Sequence, residues 1–127
     1  MKELGIRTGK QWEVVDITDM VAKEVSGDGM VQLFVAHTTC ALTTADLDPG
    51  MAEDMTEAFW QMIPKLGYQS HHDPEHAPAH ILASLIGPSV SVPVKDGKLQ
   101  LGTWQRIVLV EFDGPKERRL ILDLISK

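Results

Sequence analysis

His71, His72, His76 and His80 lie within ten residues of one another, and the fifth histidine, His37, opens the run HTTCALTTADLDPG. Near neutral pH an imidazole can ligate a metal, carry a proton or, once protonated, meet a phosphate. Three neutral rings with an open fourth position are a common way to hold catalytic zinc or a similar ion. His37, His72 and His80 form such a candidate set, drawn from a strand end, a loop and a helix start. Their spacing matches no HExxH-type motif, so the set depends on convergence in the fold. His71 and His76 read as exposed loop residues.

Anion binding is the second chemistry the same residues allow. Pro78 places a helix N-terminus near Ala77, where free N–H groups and the helix dipole attract phosphate. Thr38 and Thr39 add hydroxyls, although both are also ordinary β-formers. A small phosphorylated metabolite such as a diphosphate suits this set, and a bridging metal would reconcile the two readings. Asp46, Asp48, Glu53 and Asp54 could hold magnesium. Asp48 is better read as a helix cap, and Glu53 and Asp54 as first-turn acids favoured by the dipole, which leaves Asp46 open. Cys40 could be a nucleophile only with a base, and in a strand its three-residue offset from His37 puts the two on opposite faces. It reads as a small core residue. Trp104 is either core or a stacking wall for a ring.

The elements that must position these groups follow from the apolar pattern. Residues 12–17 read as a strand, and Thr18 as the cap of a short helix ending at Gly27 or Gly29. Residues 30–36 read as a buried strand delivering His37, and residues 41–45 as another. Asp48-Pro49 starts the clearest helix, with Met51, Met55, Ala58, Phe59, Met62 and Ile63 as a core-facing stripe that stops at Pro64. A second helix runs near Pro78–Ile86. SVSVPV, the hairpin signal Asp96-Gly97, WQRIVLVEF and RRLILDLI complete a strand-rich final third. The expected fold is α+β, a mostly antiparallel β-sandwich or curled sheet with two main helices.

Length and composition set the outer limits. The 127 residues suit a single domain spanning 1–127, and 43% hydrophobic with 24% charged residues is ordinary for a globular chain. A formal charge of -6 argues against nucleic acid. Lys116, Arg118 and Arg119 form the one basic cluster, enough for a small anion. A lone cysteine excludes an internal disulfide. With no secretory core region and no apolar run near 20 residues, the expectation is a cytoplasmic protein with no membrane partner.

Three stretches in order, HTTCALTTADLDPG, HDPEHAPAHILASLIG and VPVKDGKLQLGTWQRIVLVEFDGP, resemble the YjbQ family of secondary thiamine-phosphate synthases. The match runs from about residue 31 to the last strand, and G-x-L-x-L-G-T-W-Q at 97–105 is the family signature. The resemblance implies a compact α+β fold assembled as a homotrimer, with sites near subunit boundaries. It also implies that His37, His72 and His80 are the family's histidines, and that Glu111 and Asp113 are its acidic positions before the Gly-Pro turn. Many relatives have Asn-Glu where this chain has Ala45-Asp46, and asparagine where it has His76.

The leading expectation is an enzyme joining a hydroxymethylpyrimidine diphosphate to a thiazole phosphate with release of diphosphate. His37, Thr39, His80 and a divalent metal (zinc or magnesium) would stabilise the departing charge. Trp104 would stack on the pyrimidine, and Glu111 would accept a proton or orient a histidine. The alternatives are a metal-dependent phosphohydrolase of a small metabolite, or a non-enzymatic metal- or phosphate-binding trimer.

Overall fold

The protein is described by a computed structural model covering residues 1–64, 66–69 and 74–126. Its elements run β1 (Lys2–Arg7), β2 (Glu13–Asp16), α1 (Thr18–Ala22), β3 (Gly29–Val35), β4 (Cys40–Ala45) and α2 (Met51–Met62). They continue with a 3-10 turn (Pro74–His76), α3 (Ala77–Ile86), β5 (Ser89–Lys95), β6 (Lys98–Leu99), β7 (Arg106–Glu111) and β8 (Glu117–Ser126). Every pairing is antiparallel. One sheet has the order β1-β8-β3-β5-β6 and the other β2-β7-β4. The expected α+β class, with curled antiparallel sheets and helices, is what forms.

The burial pattern shows why the sequence splits into these layers. β3, β5 and β8 alternate buried and exposed residues, as strands with one face on a core do. β7 is different: Ile107, Val108, Leu109, Val110 and Glu111 are all buried. Its Ile107 and Leu109 join Val31, Leu33, Leu120 and Leu122 in the core between the sheets. Its Val108 and Val110 face Ala79, Leu82 and Ala83 of α3 on the other side. The small sheet is thus covered on both faces, and the run IVLV between Arg106 and Glu111 is continuously apolar for that reason.

Several local expectations need correction. Thr18 does not cap α1 with its side chain; the N-cap position is Ile17. Its hydroxyl instead donates to Asp16 Oδ1 (2.7 Å) and accepts the Ile107 N–H (2.8 Å), tying α1 to the small sheet. The N-cap of α2 is Gly50 at φ 89°, not Asp48, because Asp48 and Pro49 form a preceding turn. Asp46 stabilises that turn by accepting the Asp48 N–H (3.2 Å). The stripe of α2 is core only at its end: Ile63, just past the helix, is buried and Phe59 packs against the same cluster, whereas no residue of the helix itself is fully buried and Met51 and Met62 are exposed. What anchors α2 is aromatic. Phe59 and Trp12 meet Phe112 edge-on at 6.0 and 5.1 Å, and Trp60 meets Trp12 at 5.4 Å. The hairpin at Asp96-Gly97 forms as expected, with positive φ at both residues (52° and 74°).

Candidate functional site

Three chain segments meet at one end of the sandwich. The turn from β3 to β4 carries His37, Thr38 and Thr39, the turn from β7 to β8 carries Asp113 and Lys116, and α3 carries His80. Val35 is opposite Leu120, and Cys40 is opposite Glu111, so the registers of both sheets bring residues 36–39 against the start of β8. Ala36, His37, Thr38, Thr39, His80, Asp113, Lys116, Glu117 and Arg118 line a cleft of about 560 Å³. A second hollow of about 400 Å³ shares His37, Thr38 and His80 and extends past Cys40 to Ser84. Of the three histidines in the expected set, His37 and His80 therefore share one cleft. His72, like His71, lies outside the described residues.

The orientation of His37 decides what it can do. Its Nε2 accepts a hydrogen bond from the backbone N–H of Arg119 at 2.8 Å. A neutral imidazole that accepts at Nε2 carries its proton on Nδ1. Partial burial lowers the pKa of His37 below its ordinary value, and the nearby Arg118, Arg119 and Lys116 cations push the same way against Glu111. His37 is thus a neutral ring with an N–H donor on Nδ1.

That tautomer bears on the metal implied by the resemblance. With Nε2 occupied and Nδ1 protonated, the ring has no lone pair to give a cation. Among the described residues no three His, Cys, Asp or Glu side chains converge on a common metal position. The residues present do not fit a metal ion held by His37 in this orientation, and no chemical step is assigned to one.

Below the cleft sits a buried charge pair. Glu111 is fully buried and Arg118 is 3% exposed. Arg118 Nε donates to Glu111 Oε1 (2.8 Å), and its Nη2 donates to Glu111 Oε2, to Thr39 Oγ1 (2.9 Å) and to the Thr39 carbonyl (3.2 Å). Thr8 Oγ1 donates to Glu111 Oε1 at 2.8 Å, while the Phe112 and Asp113 N–H groups donate to Oε2 at 3.1 Å each. Burial alone would raise the pKa of Glu111, yet the bonds from Arg118, Thr8 and Asp113 outweigh it and hold the carboxyl below its ordinary range. With five donors around it, this carboxylate holds Arg118 and the two turns in place and is poorly suited to accept a proton.

Thr39 is buried on the cleft wall, its oxygen accepting from Arg118. Trp104 is 73% exposed and does not line the cleft of its own chain. Its neighbour Gln105 accounts for part of the signature: the side chain accepts the Gly102 N–H and donates to Thr44 Oγ1, both at 3.0 Å, fastening the loop to β4. Cys40 is a buried core residue whose thiol burial pushes up to about 11, so it is no nucleophile. It nonetheless borders the same hollow as His37, because residues 37–39 form a turn and strand alternation does not apply across them. His76, expected in an exposed loop, ends a 3-10 turn with Nε2 3.7 Å from Asp113, whose other oxygen accepts from Lys116 at 2.7 Å. Sequence reasoning missed Thr8 altogether, and nothing in its local pattern signals a bond to a residue 103 positions away.

Comparison with known proteins places the chain in a family and matches its fold. The sequence pattern of the family described as "UPF0047 protein YjbQ-like" matches residues 2–127. A UPF0047 protein of Archaeoglobus fulgidus is 46% identical over 122 residues, which is 94% of this chain and 97% of that one. The UPF0047 protein YugU of Bacillus subtilis is 33% identical over 131 residues, 99% of each. Among solved structures, an uncharacterized conserved protein of the yjbq/upf0047 family from Clostridium acetobutylicum superposes with a TM-score of 0.90 at 36% identity. That superposition covers 98% of this chain and all of the other. A hypothetical protein from Aeropyrum pernix gives 0.89 at 32%, covering 99% and 98% of the two chains.

Proposed function

This chain belongs to the YjbQ-like UPF0047 family, and from that premise we propose that it is an enzyme acting on a small phosphorylated metabolite in the His37–His80 cleft. The observation that carries the reading is the hydrogen bond from the Arg119 amide to His37 Nε2, which leaves Nδ1–H as a donor. Thr38, Thr39 and Lys116 on the same walls supply the kinds of group that stabilise phosphoryl oxygens.

The specific reaction we assign is the transfer implied by the family resemblance. The C–O bond of a pyrimidine-methyl diphosphate breaks, diphosphate leaves with the electron pair, and the ring nitrogen of a thiazole phosphate forms the new C–N bond. Such a displacement asks the protein mainly to stabilise negative charge growing on the leaving group. A neutral His37 donor suits this task, because it need not first lose or gain a proton. Glu111 contributes by fixing Arg118 and Thr39. Trp104 can stack on a substrate ring only from a neighbouring copy, which the expected homotrimer would supply.

The test is direct. Purified protein given the pyrimidine diphosphate and thiazole phosphate should form thiamine phosphate. His37→Ala or His80→Ala should lower that rate at least 100-fold with the melting temperature little changed. Full activity in both folded variants would reject the assignment.

A further inference from the structure

Arg118 and Arg119 are adjacent in β8, so strand alternation sends their side chains to opposite faces. Arg119 goes outward, where it is exposed and pairs with Glu3. Arg118 goes inward beneath the cleft and is 3% exposed. Its bonds to Glu111 and Thr39 use Nε and Nη2 only. Nη1, with two N–H groups, has no hydrogen-bond partner among the described residues. No side-chain nitrogen or oxygen shut off from solvent lacks a partner among them, so Nη1 is reached from outside. Arg118 is among the residues that line the cleft. A buried, permanently charged guanidinium that lines the cleft beside His37 therefore keeps one nitrogen without a partner among the described residues.

We propose that Arg118 Nη1 receives a phosphoryl oxygen of the ligand, making Arg118 a binding residue of the site; this rests on the phosphorylated-ligand reading above. The Nε/Nη2 fork is already spent on Glu111, so a planar carboxylate ligand cannot dock on it side by side. What remains is a single-nitrogen contact, and the other donors (His37 and the threonine hydroxyls) come from a different turn. Donors spread over several directions suit the tetrahedral oxygens of a phosphate or diphosphate. The arrangement also calls for arginine specifically. A lysine has one nitrogen, which can meet Glu111 or the ligand but cannot span both as a planar guanidinium does.

Inorganic diphosphate is the probe. Calorimetry should show it binding the wild-type protein, and binding Arg118→Lys at least tenfold more weakly. In the wild-type protein the Arg118 Nε–Hε resonance should shift saturably as diphosphate is added. Equal affinity in a folded Arg118→Lys, or an unmoved Arg118 resonance while His37 signals respond, overturns this inference and leaves the cleft reading intact. Should Arg118→Lys fail to fold, the wild-type resonance alone decides. A wild-type protein that binds no diphosphate overturns both readings.

Discussion

Glu111 shows how far a residue's type can mislead about its task. The sequence places it beside the Gly-Pro turn and suggests a proton acceptor. In the fold it is sealed in with Arg118, and its lone pairs are taken by Thr8, Arg118 and two backbone amides. Glu111→Gln should therefore cost about 3–5 kcal/mol in urea unfolding, because it strands a buried guanidinium without its counter-charge. The pH dependence has a definite sign. The folded pKa of Glu111 is depressed, so its stabilisation is present above the unfolded value and is lost as pH falls through the folded one. Wild type should lose stability at acid pH more steeply than the variant; parallel profiles would contradict the pairing. His37 and His80 were legible as partners from residue type and motif. Which nitrogen of His37 carries the proton was not, since that is set by a backbone amide 82 residues away.

Elements with a clear burial rhythm were readable, and those set by distant partners were not. β3, β5 and β8 alternate as half-buried strands should, and α3 ends at Gly87 as its sequence signals. β1, with the mixed run KELGIR, is a strand because it pairs with β8 at the sheet edge, and it carries little local signal. α2 looked like a core helix from its methionines, yet Trp12 and Phe112 hold only one edge of it. The turn between β7 and β8 shows the tightest constraint. A Cβ on Gly114 would sit 2.3 Å from the Lys10 carbonyl oxygen and 2.8 Å from both Glu111 Cγ and Thr8 Oγ1. Gly114→Ala should thus push the turn off the Glu111–Arg118 pair and destabilise the protein by about 1–3 kcal/mol, as overpacking usually does. A chemical-denaturation midpoint equal to wild type would show that the turn yields without cost.

At the scale of the whole molecule, the chain is layered as large sheet, small sheet and helices, and the cleft opens where two inter-strand turns and α3 meet. No described helix is long and apolar enough to cross a membrane. Met30, Phe34 and Ile125 are exposed on the outer face of the large sheet, and Met51, Trp60 and Met62 on α2. In general, large contiguous apolar patches mark association sites. The homotrimer proposed here should give a light-scattering mass three times that of the 14.0 kDa chain; a single-chain mass would remove the subunit boundary from the account. The chemistry of the cleft turns on the His37 ring. Nitrogen-15 correlation spectra of the imidazoles near neutral pH should show His37 neutral and protonated at Nδ1, with a pKa below the ordinary histidine value that rises when diphosphate binds. A His37 protonated at Nε2, or one with the shift of a metal-bound nitrogen, would contradict the account.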